Sequence, residues 1–436
     1  MRPARVLSFY LEKWGTGGAG PRPAAGSQPA SGWHRLQPVL AFILIAYTAN
    51  AQQFTQRGYL EDLTTFYPQT APNDSSHVVS EILLRYEASY QLFPWLKLNG
   101  SFDARTDTHN QVERQWEVSL DDRTIRRPAF DLRRFSAIAN KDKFTIELGR
   151  QFIRWGRADI LNPVDRFAPK DFLNVVNSDF LGVIAARVTY ESGPNTVDLV
   201  WQPWFTPSRT PLLNQRWTVL PASVQGIPLS DNGASYPSRS QFGARWNHVG
   251  RGYEFAASYF DGYNHLPLFL PQGLGFERYY PRLRLFGADA AIPTRWVTVK
   301  TEAAYFTTTR SQTDEYLLYV IQLERQQGNW IFVGGYAGEV VTNPANNPFQ
   351  FSPERGFARS FLGRSEYTIS STKSLAITGA VRQNGKGTWL RFEYSQMYGR
   401  HWRATAGATW IHGDTADFLG QYHRNSYASL SLRYSF

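Results

Sequence analysis

The 436-residue sequence has no cysteine and only two methionines, Met1 and Met397. The missing cysteine removes disulfides and thiolate metal sites as means of holding the chain together. Long apolar runs are also missing. Beyond the first fifty positions no stretch reaches the roughly 18 apolar residues that a membrane helix needs. There is no glycine-rich phosphate loop, no dinucleotide fingerprint and no cluster at metal-ligand spacing, so no cofactor and no metal is expected. Basic runs interleaved with aromatics are lacking too, which argues against a nucleic-acid partner. Part of the formal charge of +10 is N-terminal: residues 1–51 hold five Lys or Arg against one Asp or Glu, and the remainder carries +6.

Aromatic residues are abundant: 14 Trp, 23 Tyr and 29 Phe make 15% of the chain, while the mean hydropathy is −0.40. A polar average with many aromatics suits strands that turn one face to lipid and one to water, with aromatics gathered at two interfaces. At the N-terminus, His34 and Arg35 precede the apolar stretch Leu36 to Ala51, which ends in Ala49-Asn50-Ala51. This is the pattern of a secretory signal peptide cleaved after Ala51. Residues 1–34, rich in Gly, Ala, Pro and Arg, read either as an extended n-region or as sequence upstream of the true start. The expected domains are therefore residues 1–51 as leader and residues 52–436 as the mature body.

The last eleven residues, Ser426 to Phe436 (SYASLSLRYSF), alternate strictly. Ala428, Leu430, Leu432, Tyr434 and Phe436 form one face, and mostly polar residues form the other. The length is about that of one membrane-crossing strand. With its terminal aromatic, the stretch resembles the sorting signal that the barrel assembly machinery reads in bacterial outer-membrane β-barrels. Leu430, Leu432, Tyr434 and Phe436 would carry that signal. The alternative is the last strand of a soluble sandwich.

Alternation recurs along the whole chain. Short turns fall at Phe93-Pro94, 140–142, 192–194, 250–252, 289–293, 327–328, 370–372 and near Gly399, mostly carrying Gly, Pro, Asn or Ser. Long connectors, roughly 68–79, 106–128, 156–182, 205–239, 264–280, 340–358 and 412–426, alternate with them; 307–314 and 383–387 are shorter. Counted back from Phe436, every short turn falls on one side and every long loop on the other. Outer-membrane barrels have this asymmetry, and a sandwich or propeller has no reason to keep it in phase over eight hairpins. The expectation is an all-β fold: a transmembrane, antiparallel, up-and-down β-barrel of about 18 strands if residues 52–67 supply the first. Sixteen follows if one weak hairpin is not counted. A barrel of this size leaves an aqueous lumen.

Charges fall out of phase with the apolar rows. Arg391 and Glu393 alternate with Leu390, Phe392 and Tyr394, and Arg403 sits between Trp402 and Ala404. Glu147, Lys300 and Glu302 behave likewise. A lipid-facing Arg or Lys at midplane costs about 2–4 kcal/mol, so these six are expected to face the lumen. There they either pair with one another in the wall or select a solute.

One stretch carries a motif: Leu148 to Asn174, LGRQFIRWGRADILNPVDRFAPKDFLN. Gly149-Arg150-Gln151, Trp155-Gly156, Asp159, Asn162-Pro163-Val164-Asp165 and Pro169-Lys170-Asp171 resemble the hallmark of a group of outer-membrane barrels. In these a GRQ…WG strand end leads into a loop with an NPxD element. Arg57-Gly58-Tyr59-Leu60-Glu61 is similar to the first strand of that group. The group is distantly similar to the alginate-export and substrate-selective porins. The resemblance implies a porin-like barrel and brings no substrate. In the residues themselves, Arg150, Arg154, Arg157, Arg166 and Lys170 face Asp159, Asp165 and Asp171, while Asn162, Pro163 and Pro169 stiffen turns. Either the loop folds into the lumen and narrows the pore through these charges, or it packs on the rim, pinned by Arg–Asp pairs and Trp155. The connector 205–238, with Arg209, Arg216 and Trp217, reads as a surface loop or as a second lid.

The resulting expectation is a channel in the bacterial outer membrane for passive passage of small polar or charged solutes, with a slight lean to anions. Its partners would be outer-membrane lipid and the assembly machinery. A homo-oligomer fits the class, though no stretch argues for an interface. No catalytic residues are expected: His412, Asp414 and His423 form the only His–Asp grouping of note, and no nucleophile motif accompanies them. Two rival readings remain, a barrel that docks a periplasmic partner and conducts little alone, and a barrel hydrolase.

Overall fold

The computed structural model describes residues 53–115, 118–119, 122–220, 229–309, 313–345 and 351–436. The leader read in residues 1–51 lies outside them. Eighteen strands build one closed antiparallel barrel. They are β1 (Phe54–Phe66), β2 (Val78–Phe93), β3 (Leu96–Asp107), β4 (Phe130–Lys141), β5 (Phe144–Gln151), β6 (Val183–Ser192), β7 (Asn195–Gln202), β8 (Gln241–Gly250) and β9 (Tyr253–Tyr263). The series continues with β10 (Arg282–Pro293), β11 (Thr298–Thr308), β12 (Glu315–Gln327), β13 (Trp330–Asn343), β14 (Ser360–Ser370), β15 (Lys373–Arg382), β16 (Gly387–Tyr398), β17 (Trp402–Gly413) and β18 (Tyr427–Ser435). Each pairs with its sequence neighbours, and β1 pairs with β18 to close the ring, with Tyr59 opposite Ser435 and Phe66 opposite Ala428. The fold class and strand number are those expected from the sequence, with eighteen rather than sixteen.

All short turns lie at one end of the barrel. Gly252, Gly328 and Gly399 hold positive φ there, a conformation that suits glycine. The long connections lie at the other end. Several boundaries differ from expectation by up to four residues, and two bear on the wall. β5 stops at Gln151 rather than running to Trp155, because Ile153 and Trp155 leave the wall to become buried. β10 runs on to Pro293, past the turn expected there.

The outer face is a continuous apolar row. Leu60, Leu84, Leu148, Leu199, Phe286, Ile321, Phe361, Ile377, Phe392 and Leu430 are all exposed on it. Leu432, Tyr434 and Phe436 continue the row. The Phe436 ring sits over Gly58, so closely that a Cβ on Gly58 would lie 2.6 Å from it. At the seam the backbone N–H of Gly58 donates to the Phe436 carbonyl and that of Phe436 donates back, both at 3.0 Å. No helix among the described residues is long and apolar enough to cross a membrane.

The inner face has two characters. Along the middle of β9–β13 it is apolar, with Ala256, Phe260, Leu283, Leu285, Ala304, Phe306, Leu318, Val320 and Ala337 buried, while Arg245, Asp289 and Glu302 lie nearer the short turns. On β14–β18 the apolar inner residues Leu362, Ala380, Trp389, Ile411 and Tyr427 gather at the long-loop end, and below them the row carries ion pairs such as Arg364–Glu366 and, across β18 and β1, Arg433–Glu61, each 2.8 Å apart.

Candidate functional site: a loop inside the barrel

The apolar part of the inner face is buried by the connection 152–182, which enters the barrel instead of standing over it. Ile153, Trp155, Leu161, Val164 and Phe167 share one core with the inner rows of β8–β13. Trp155 meets Phe167 edge-on at 5.2 Å between centroids, and Phe167 meets Phe260 of β9 at 5.0 Å. Two wall glycines make room. A Cβ on Gly243 would lie 2.4 Å from Phe167, and one on Gly287 would lie 2.4 Å from Val164. Each fully buried side chain of this kind contributes about 1.5–3 kcal/mol, so apolar contact is the main attachment.

Polar anchors fix the deepest turn. The Glu302 carboxylate on β11 accepts the backbone N–H groups of Arg157 and Ala158. Gly156, at φ +102°, lies against it; a Cβ there would sit 2.7 Å from a Glu302 oxygen and nearer still to Asn162. Glycine is therefore required by both backbone and space. Arg157 donates to Asp289 of β10 at 2.6 Å and also bonds Glu254 and Asn247. Asp289 is fully buried and bonds Arg245 as well. Asp159 accepts from Lys300 at 3.0 Å, and Lys300 pairs with Glu324 at 2.6 Å. The anchors Asn247, Glu254, Asp289, Lys300, Glu302 and Glu324 all lie near the short-turn ends of β8–β12. The loop thus descends most of the barrel's height.

It then returns. Asp165 accepts from Arg154 at 3.0 Å, and the Arg154 guanidinium lies 3.7 Å above the Phe180 ring. Burial raises the Asp165 pKa above the usual carboxylate range, against the pull of Arg154 and Lys170. Arg166 pairs with Glu354 from the connection 344–359 and lies over Phe306. Burial would push the Glu354 carboxyl up, but Arg166 and Lys170 hold it below its ordinary value. Asp171 sits between Arg127 at 2.8 Å and Arg209 at 3.3 Å. These two override burial and keep its pKa below the ordinary carboxylate value. On the far side, Arg391 of β16 donates to the Asn177 side chain at 2.9 Å. β16 stands six strands round the ring from β10, so the loop is tied to two separated parts of the wall.

The eight charged residues singled out in this stretch therefore divide. Arg157 and Asp159 bind the wall, and Asp165 and Arg166 are buried in pairs. Arg150 pairs with Asp122 and Asp131, and Asp171 joins the same outer ionic layer through Arg209, which also bonds Asp122. Lys170 lies 4.0 Å from Glu354 and near Phe180. Only Arg154 keeps a largely open side chain, 47% exposed. Of the six wall candidates, Lys300, Glu302 and Arg391 hold the loop. Glu147 accepts from Arg134 at 3.0 Å, and Arg391 pairs with Glu393 at 2.8 Å. Arg403 lies beside Met397.

The connection 203–240 is also more than a surface loop. Arg216 and Trp217 are buried, Arg216 lies over Tyr67, and Trp217 packs on Tyr422. His265 is buried between Thr206 and Arg166, with its ring nitrogens 2.7 and 2.8 Å from their carbonyl oxygens. Nothing in its sequence surroundings points to that role. The His–Asp grouping does not assemble: His412 stacks on Trp410, His423 bonds the Gly420 carbonyl, and Asp414 accepts from the Ala416 N–H.

No protein-family model matches the sequence, and no curated protein matches it either. Solved structures do. A BenF-like porin from Pseudomonas fluorescens Pf-5 aligns over 88% of this chain and 98% of its own, at 10% identity and a TM-score of 0.51. OpdQ of Pseudomonas aeruginosa covers the same shares at 8% identity and a TM-score of 0.48. At such identities the likeness is one of fold: the chain has the barrel architecture of porins.

Proposed function

We propose that the chain is a passive channel of the bacterial outer membrane for small polar or charged solutes, narrowed by the connection 152–182. The observation that carries this is the loop's double attachment, at Glu302 and Asp289 on one wall and at Arg391 on another. A barrel needing only a scaffold has no reason to pack a loop against one wall and line others with ion pairs. The unfilled side is lined by ion pairs: Arg134–Glu147, Arg187–Asp198, Arg364–Glu366, Arg391–Glu393 and Arg433–Glu61. Their polar groups would replace part of a solute's hydration while the apolar loop core takes up the rest of the bore. Arg154, whose side chain stays 47% exposed, leans the passage toward anions.

The test is single-channel conductance of the refolded barrel in a planar bilayer, with the reversal potential under a salt gradient. A steady open level, whose ion preference moves toward cations in Arg154→Ala, supports the reading. A folded barrel that stays silent overturns it and favours one that must dock a partner.

A further inference from the structure

The outer wall carries a groove that the channel reading does not use. It is an apolar concavity of about 420 Å³ across β6–β9, lined by Ala186, Val188, Leu199, Trp201, Phe242 and Tyr259 among others. Its size falls in the roughly 300–1,000 Å³ range of sites that hold small organic ligands. Its floor is made by small side chains, Ala186 and Ala244, between large neighbours. Trp201 and Phe242 are paired across β7 and β8 and stand one residue from the strand ends at Gln202 and Gln241. There the long connection 203–240 begins and ends, so the groove lies in the half of the wall next to the long loops.

A charged group continues the same row. Phe242 is opposite Asp261 on β9, and Asp261 is opposite Arg284 on β10. Asp261 is already engaged by Arg282 at 2.7 Å. The Arg284 side chain stays 44% exposed, its Nε 3.9 Å from Asp261 and without a hydrogen-bond acceptor. Two guanidinium groups thus share one carboxylate, and one positive charge is left over at the level of the aromatic belt.

We propose that this face binds a phosphorylated, acylated sugar lipid of the outer leaflet, with an acyl chain in the groove and a phosphate on Arg284. This rests on the outer-membrane placement proposed above, but not on conduction. The chemistry is complementary in both parts. Alkyl carbons displace nothing polar from the groove, and a guanidinium matches phosphate oxygens through paired N–H donors. A second copy of the barrel accounts for the apolar groove alone, whereas a phosphate also answers the surplus guanidinium of Arg284.

Native mass spectrometry of the folded barrel in detergent, titrated with bisphosphorylated lipid A, tests this. One lipid should remain bound. Arg284→Gln should weaken it about tenfold, the scale of one lost charge-assisted hydrogen bond. Ala244→Trp, which fills the groove, should abolish retention, while Ala406→Trp on the far outer wall should keep it. Heat-modifiable gel migration verifies that each variant is folded. Unchanged affinity in both Arg284→Gln and Ala244→Trp overturns the proposal. So does equal binding of a lipid A without phosphates, or a dimer that Ala244→Trp dissociates. A conducting barrel that binds no lipid A sinks this inference alone, and a silent barrel that binds it sinks the channel reading alone.

Discussion

The inner faces of β8–β13 and of β14–β18 belong to one barrel and have opposite chemistry. On β12 every inner residue from Tyr316 to Val320 is apolar and buried. On β16 and β17 the inner row reads Arg391, Glu393 and Ser395, then Arg403, Thr405 and Gly407. The first row packs on the loop, and the second, below its apolar long-loop end and apart from the Arg391–Asn177 bond, carries ion pairs and small polar groups. The comparison teaches that an inner row reports what it touches. Where a loop supplies apolar partners the wall offers apolar side chains, and where it does not the wall supplies ions that satisfy one another. The loop's charges follow the same rule. Those near the wall are consumed in buried pairs, and Arg154, although paired with Asp165, keeps its side chain 47% exposed.

The difference between the two faces depends most on the loop's anchors. Replacing Glu302 and Arg157 together by Ala should free the deepest turn, since stripping one partner from a buried ionic group costs about 3–5 kcal/mol. Single-channel conductance should rise, and an unchanged level would mean the loop does not limit flow. Phe167→Ala should cost a comparable or slightly smaller amount, about 3–5 kcal/mol of loop docking, because a cavity opens against Phe260. Tryptic cleavage within 152–182 reads this directly. Thr405→Ala, on the ionic half, should change stability by only about 0.5 kcal/mol.

A pH dependence sharpens the contrast at intermediate size. Arg127 and Arg209 hold the folded Asp171 pKa below the unfolded value, which is about 3.9. Its contribution is therefore complete above that value and is lost as the pH falls through the folded one. Proteolysis of the loop should increase below about pH 4, and Asp171→Asn should remove that dependence. The smallest effect belongs to the open wall. Arg364→Ala should cost only about 1 kcal/mol, its pair with Glu366 being partly exposed, yet shift the reversal potential toward cations. A large loss of stability there would show that the ionic half is structural rather than selective.

Much of this was legible in the sequence. Strict alternation in β17 and β18, with turns in fixed phase, gives the barrel and its strand number. The stretch 148–174 stood out by its charges and turn residues. What stayed hidden was the direction in which the loop folds, because Arg–Asp pairs serve equally on a rim or in a lumen. One signal of it lies in Tyr316 to Ile321 (YLLYVI), apolar without interruption. A strand apolar on both faces is covered on both. Asp289 and Glu254 were detectable by the phase argument that found Glu302. The bond between Asn177 and Arg391 was not, because it joins residues far apart in sequence through neither periodicity nor charge balance.

The seam between β1 and β18 has a kinetic consequence. Seventeen of the barrel's eighteen seams join consecutive strands, and a single one joins the two ends of the series. Local hairpins can form and extend in turn, since closing a short segment sacrifices little chain entropy. The last seam must bring Gly58 to Phe436 across the full length of the sheet, the largest closure in the molecule. Contacts of such sequence separation slow folding. The circumference should therefore zip from neighbour to neighbour, and its completion should set the pace at which the native ring appears.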